Sequence, residues 1–183
     1  MHNLYPVILT IGRREVLDDV KQLAFVEGDI MEVSSEHARH QVFDIGEDGN
    51  VDRVSRVMDT SFARCVEACY PYSKEPVGGF PNHGWCCVGD VPKEPLAYND
   101  MFRDPRFFNM KLLVPAGMSK TSLELLVRYV HDFMVAAVMA DWLGITKPDA
   151  ASKWSTKADQ LEDSIKSVLS NRCGRVRRKL CPF

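Results

Sequence analysis

Residues 119–170 read SKTSLELLVRYVHDFMVAAVMADWLGITKPDAASKWSTKADQLEDSIKSVLS. Two helical periods lie in this stretch, separated by Gly144 and Pro148. In the first, Leu123, Leu126, Val127, Val130, Phe133, Met134, Val138 and Trp142 recur at three- and four-residue steps and make one apolar face. Thr121 and Glu124 have capping-box spacing, which predicts the start of the helix at Thr121. Glu124, Arg128, His131 and Asp132 form a polar stripe along its first half. The second half, Phe133–Ala140, has no polar residue on any side. A helix that is apolar all round must be covered all round, by the centre of its own core or by another subunit. Phe133, Val138, Met139 and Trp142 are therefore the candidates for packing between subunits.

Gly144 is expected to end this helix and Thr146 to cap the next, with Pro148 in its first turn. Trp154, Ala158, Leu161, Ile165 and Val168 form the second apolar stripe, backed by Lys153, Lys157, Asp159, Glu162, Asp163 and Lys166. A connection as short as Gly144–Thr146 forces the helices antiparallel, so an αα-hairpin is expected. Gly174 is expected to close the second helix. Beyond it the character changes: residues 172–183 hold five basic side chains and no acidic one. Residues 1–171 hold 18 basic and 25 acidic side chains. An acidic body with a basic tail can attach to copies of itself, although a solvated basic end has the same composition. The candidate docking residues are Arg172, Arg175, Arg177, Arg178, Lys179 and Phe183.

Working towards the N-terminus, Phe107–Val114 and Trp85–Val88 read as short strands within an irregular stretch, 72–118, that holds most of the glycines and prolines. It is expected to be a β-hairpin-like arm, reaching a neighbour or packed on its own body. A helix is expected from Asp52 to Ala68, with Val54, Val57, Met58, Phe62, Cys65, Val66 and Cys69 on its stripe and Pro71 beyond its end. Gln41–Ile45 could be a strand and Gly46–Asn50 a turn; residues 30–50 have no clear period. Val16, Leu17, Val20, Leu23 and Ala24 mark a helix stopped by Gly28 and Asp29, preceded by a strand over Tyr5–Ile11.

The expected fold is α+β, mainly α. One helical domain spans residues 1–171 with its arm at about 72–118, followed by an extended basic tail. With 183 residues, 45% hydrophobic and 26% charged, the composition is that of an ordinary globular chain. The first ten residues lack the basic segment of a signal peptide. The longest apolar run, Phe133–Ala140, falls far short of the roughly 20 residues that span a bilayer. A reducing cytoplasm with free thiols is expected, and no membrane partner.

Chemistry-bearing residues are sparse. Cys65 and Cys69 share a helix face and could hold half a metal site with His83, Cys86 or Cys87, but the spacing is not that of a zinc knuckle. Cys65 also falls on the apolar stripe, where a thiol packs as a small hydrophobe. His37 and His40 could share a face, without an HExxH pattern. His131 stands beside Asp132, with no nucleophile motif near. Gly78, Gly79 and Gly84 lack the ending of a phosphate loop. No catalytic residue, metal or cofactor is expected.

Two segments, FFNMKLLVPAGMSKTSLELLVRYVHDFMVAAVMADWLGI and KWSTKADQLEDSIKSVLSNRCGRVRRKLCPF, with the helices at Arg13–Glu27 and Asp52–Cys69, carry a resemblance to small virion proteins of tailed bacteriophages and prophages. A helical hairpin with a basic C-terminus is similar to head-to-tail adaptor (connector) proteins, which form rings beneath the portal and whose tails commonly dock on the neighbouring ring. The resemblance implies a non-enzymatic ring component of the phage neck or tail, made in the bacterial host cytoplasm and located in the virion. Its implied partners are copies of itself, the portal and other neck or tail proteins, with contact to DNA in a channel possible. Two other classes stay open: a metal protein or enzyme using the Cys/His set, and a helical protein-interaction module.

Overall fold

The computed structural model describes residues 4–31, 36–73, 106–115 and 117–170. In chain order these form β1 (Leu4–Gly12), α1 (Arg13–Asp29), α2 (Glu36–Phe43), a short 3-10 turn (Asp44–Gly46), α3 (Asp48–Ala68), β2 (Phe107–Pro115), α4 (Lys120–Thr146) and α5 (Pro148–Ser170). The class is α+β, mainly α.

The centre is α4. Its 27 residues make a rod about 40 Å long at 1.5 Å per residue. Leu126, Val130, Phe133, Met134, Val135, Ala136, Val138, Met139, Trp142 and Leu143 are all buried on it. The other elements exist as its cover. Antiparallel α5 brings Trp154, Ala158, Ile165, Val168 and Leu169. From α3 come Val54, Met58, Ser61 and Cys65, and α1 adds Val16, Val20 and Ala24. The short helix α2 is pinned where the Trp142 indole N–H donates to the Val42 carbonyl at 3.1 Å. Phe133, Val138, Met139 and Trp142 are thus inside the chain's own core, and the expectation that they pack between subunits is corrected. Of the two covers the sequence allowed, the intramolecular one is present.

β1 and β2 pair antiparallel, from Leu4 opposite Pro115 to Gly12 opposite Phe107. Val7, Leu9 and Ile11 lie opposite Leu112, Met110 and Phe108 and turn towards the core. Ile8 and Lys111, and Thr10 and Asn109, face outwards, and the Thr10 hydroxyl donates to Asn109 Oδ1 at 3.0 Å. The second half of the expected arm is therefore part of the body, paired with the N-terminal strand. Residues 74–105, with Trp85–Val88, lie outside the described residues.

Several local expectations are replaced. Thr121 and Glu124 do not form a capping box, because α4 starts at Lys120 and Ser119 is its N-cap with no side-chain bond. Glu124 stands 3.6 Å from the Lys120 ammonium instead. The helix runs through Gly144 to Thr146, and the Lys147 N–H still donates to the Leu143 carbonyl at 2.8 Å. Thr146 is its last residue and donates its hydroxyl to the Trp142 carbonyl at 3.1 Å. Lys147 alone joins α4 to α5. Gln41–Ile45 is helical, and α3 begins at Asp48, inside the expected turn.

Gly28 does more than stop α1. It is buried beneath α2, and a methyl group there would collide with Cε1 of Phe43 and come within 2.9 Å of its Cδ1. Gly144, exposed within α4, has nothing within 4 Å of the same position. Gly28→Ala should lower stability, because overpacking of about 1–3 kcal/mol exceeds a helix gain of about 1 kcal/mol at most. Gly144→Ala should raise it by about 0.5–1 kcal/mol. Urea denaturation of the two variants checks both signs. Phe133→Ala should cost about 3–5 kcal/mol in the same measurement, as expected of a monomer core residue.

Candidate functional site

One stretch of α4 is not covered. Its polar stripe forms the floor of a surface trench between α1, β1 and α5. At one end, Thr10, Ile11, Glu15, Asp19, Val127, Arg128, His131 and Asp132 enclose about 480 Å³. At the other, Asp19, Gln22, Leu23, Val26, Asp132, Val135 and Lys157 enclose about 270 Å³. Asp19 and Asp132 belong to both ends, so the two depressions are one trench.

His131 marks the middle. Its Nε2 is 3.6 Å from Asp19 Oδ2 and its Nδ1 is 3.4 Å from Asp132 Oδ1. The histidine side chain is 20% exposed, whereas Asp19 and Asp132 are 51% and 57% exposed. The imidazole is held between two carboxylates that still face water. Glu15 adds a third carboxylate at the wall, and Arg128 and Lys157 stand towards opposite ends. The stripe Arg128–His131–Asp132 is visible in the sequence. Asp19 and Glu15 are not visible as its companions, because another helix supplies them and no local spacing records that.

Two other polar clusters tie elements together. Buried Glu27, near the end of α1, accepts the Trp154 indole N–H at 3.0 Å. The Lys147 ammonium lies 3.6 Å and that of Lys153 3.7 Å from the same carboxylate. Lys157 rests over the Trp154 ring at 4.8 Å. This fastens α1 to the α4–α5 corner and leaves Glu27 fully partnered. On the opposite flank, Arg64 of α3 meets Asp159 at 3.1 Å and Glu162 at 2.7 Å on α5, and Lys166 joins Glu162. The hydrogen bond from Lys166, with the charge of Arg64, holds the Glu162 carboxyl below its usual range despite burial. Beside this cluster is a shallow depression of about 600 Å³ lined by Ala63, Val66, Glu67, Tyr70, Ser73 and Lys166.

Cys65 is buried on α3 and Cys69 is buried at its C-cap. Burial pushes the Cys69 thiol up from 9.0 to about 12. Burial, then the neighbouring Cys69 and Glu162, push Cys65 up as well, against the pull of Arg64. Neutral buried thiols are poor ligands and poor nucleophiles. His83, Cys86 and Cys87 lie outside the described residues, as do Gly78, Gly79 and Gly84. Among the described residues no group of three or more His, Cys, Asp or Glu side chains could hold a metal ion. His37 and His40 are helical but have separate partners: the first meets Gln41 at 3.3 Å, the second turns its edge to Phe43. The docking candidates Arg172, Arg175, Arg177, Arg178, Lys179 and Phe183 lie outside the described residues. Among those described, no helix is long and apolar enough to cross a membrane.

No protein family, curated protein or solved structure matches the chain.

The thiols supply a pH test. An unfolded thiol ionises near pH 9.0 while folded Cys69 stays neutral to about 12. The stability that depends on the neutral form is therefore complete below the unfolded value and is lost as pH rises towards the folded one. Urea midpoints should fall between about pH 8 and about pH 11, and less steeply in the Cys65→Ala/Cys69→Ala variant. Peptide mapping after iodoacetamide treatment should find both thiols unmodified in the native protein and modified in urea.

Proposed function

We propose that this protein is a structural component of a tailed-phage virion, forming a homo-oligomeric ring in the head-to-tail connector or tail and docking on adjacent rings. The observation that carries the reading is the division of charge within one chain. Five basic and no acidic side chains lie in residues 172–183, against 18 basic and 25 acidic in the remainder. The body supports this as a rigid block. Its central helix is buried by its own chain, and its α4–α5 hairpin is locked to α1 and α3 by the Glu27 and Glu162 clusters. Such a block can present surfaces without refolding. Contacts between copies would then use exposed groups rather than Phe133, Val138, Met139 or Trp142. The resemblance to adaptor proteins names the setting: copies of the chain in a ring, the portal and other neck or tail proteins beside it, and DNA passing a channel where basic residues could touch phosphates.

The test is deletion of residues 172–183. Every buried hydrophobic residue among those described lies between Leu9 and Leu169, so the shortened chain should keep its helical circular dichroism. It should remain monomeric by light scattering where the full chain forms a large cyclic assembly. A shortened chain that assembles like the full one overturns the reading.

A further inference from the structure

We propose that the α1–α4 trench is the receptor for the basic tail, and that the tail it receives is that of a second copy of the chain. This rests on the tail-docking function above and gives it a site.

Charge and shape both fit. Glu15, Asp19 and Asp132 place three carboxylates along the trench, and Ile11, Leu23, Val26, Val127 and Val135 supply apolar wall and floor between them. The tail has the complementary composition: Arg175, Arg177, Arg178 and Lys179 are interleaved with Val176 and followed by Leu180. Lengths agree. From Glu15 to Val26 the α1 wall rises about 16 Å at 1.5 Å per residue. Six residues, if extended, take five steps of about 3.3 Å and cover the same distance, which is the length of the run Arg175–Leu180. Spacing agrees too. Glu15 and Asp19 are about 6 Å apart along their helix. Alternate residues of an extended strand, such as Arg175 and Arg177, are about 6.6 Å apart on one side. Asp132 faces the same line from the α4 floor. His131 stands between Asp19 and Asp132, 3.6 Å from the first and 3.4 Å from the second, so the two carboxylates lie on either side of one imidazole. Arg128 shares the Glu15 end and Lys157 stands at the other, so the carboxylates of the lining exceed its cations by one, and each cation repels a basic side chain placed beside it. The pairs formed would be solvent-accessible, so docking should weaken sharply with salt.

The probe is a fluorescein-labelled peptide of residues 171–183. Its receptor is the full chain carrying Arg175→Glu, Arg177→Glu and Lys179→Glu, whose own tail cannot compete. Saturable binding is expected. Asp19→Lys with Asp132→Lys should weaken it about tenfold or more. Asp52→Lys with Asp163→Lys, an equal charge change away from the trench, should leave it unchanged. If the lysine pair loses its helical circular dichroism, Asp19→Asn with Asp132→Asn keeps the shape and should weaken binding in the same direction. No binding, or binding indifferent to Asp19 and Asp132, overturns the site. Loss of assembly on tail deletion would still stand in that case, so the two failures are distinguishable. Mixing then separates the sources of the tail. A trench-reversed chain with its own tail and a tail-reversed chain with its own trench should each be monomeric and should pair with one another. If the peptide binds but these two do not pair, the tail belongs to the trench of its own chain and the second-copy assignment is overturned.

Discussion

Everything in the described fold follows from the need to cover α4. Ten of its side chains are buried, several of them on its fully apolar half. Each large apolar side chain left in water would forfeit about 1.5–3 kcal/mol. No single neighbour can cover such a cylinder, so α5, α3, α1 with α2, and the sheet are distributed around it. That accounts for the pairing of two strands almost a hundred residues apart. Phe108, Met110, Leu112 and Val114 alternate along β2 and need both a partner strand and an apolar surface to face. The N-terminal strand provides the first and the shared core the second, with Phe62 of α3 meeting Phe108 at 4.9 Å. It also accounts for Gly28, where α2 must cross α1 closely enough for Phe43 to stack against Phe25.

Polar contacts refine this arrangement rather than create it. Arg13 reaches Asp59 at 3.0 Å beneath the Phe108 ring, Glu27 accepts from Trp154, and Arg64 gathers Asp159 and Glu162. Each joins elements that the core has already brought together. Exposed ion pairs contribute little singly, about 0–1 kcal/mol. Glu27 is different, since an unpartnered buried carboxylate would cost several kcal/mol. Its contacts are best understood as selecting one arrangement of α1 against the α4–α5 corner, because a slip along α1 would strand the charge.

The parts of the fold that were legible in the sequence are those with a local cause. The stripes of α1, α3, α4 and α5 have helical periods because each helix buries one face, and both strands show alternation or β-branched enrichment. What was not legible depends on distant residues. Gly144 and Thr146 look like a stop and a cap, but the helix continues through Gly144 and ends at Thr146, whose hydroxyl bonds back to the Trp142 carbonyl. Thr121 and Glu124 match a capping box two residues too late; Ser119 is itself an N-cap type, but Ser122 stands three residues on where a box needs Glu or Gln. Residues 36–43 have little period because α2 buries only Val42 fully. The subunit-packing assignment for Phe133, Val138, Met139 and Trp142 failed for a related reason: apolarity records that a helix is covered and is silent about whose atoms do it. Half of the trench was legible for the same reason. Arg128, His131 and Asp132 stand out as the polar interruption of α4, while Glu15 and Asp19 look like the ordinary solvated face of α1.

The uncovered stripe and the charge division bear on the symmetry of any assembly. A surface that pairs with itself must be self-complementary across a twofold axis. The trench is a poor candidate for that, since its two faces would oppose Glu15, Asp19 and Asp132 with their own copies, and like charges in register repel. A basic segment meeting an acidic trench is the opposite case, in which two different surfaces of one chain meet across copies. Contacts of that kind leave a free trench at one end and a free tail at the other after every addition, so they propagate until the rotation between copies closes a ring. On the proposed reading, a chain that divides its charge in this way, and buries the apolar side of its central helix, would add directionally as a finished subunit rather than merge exposed cores.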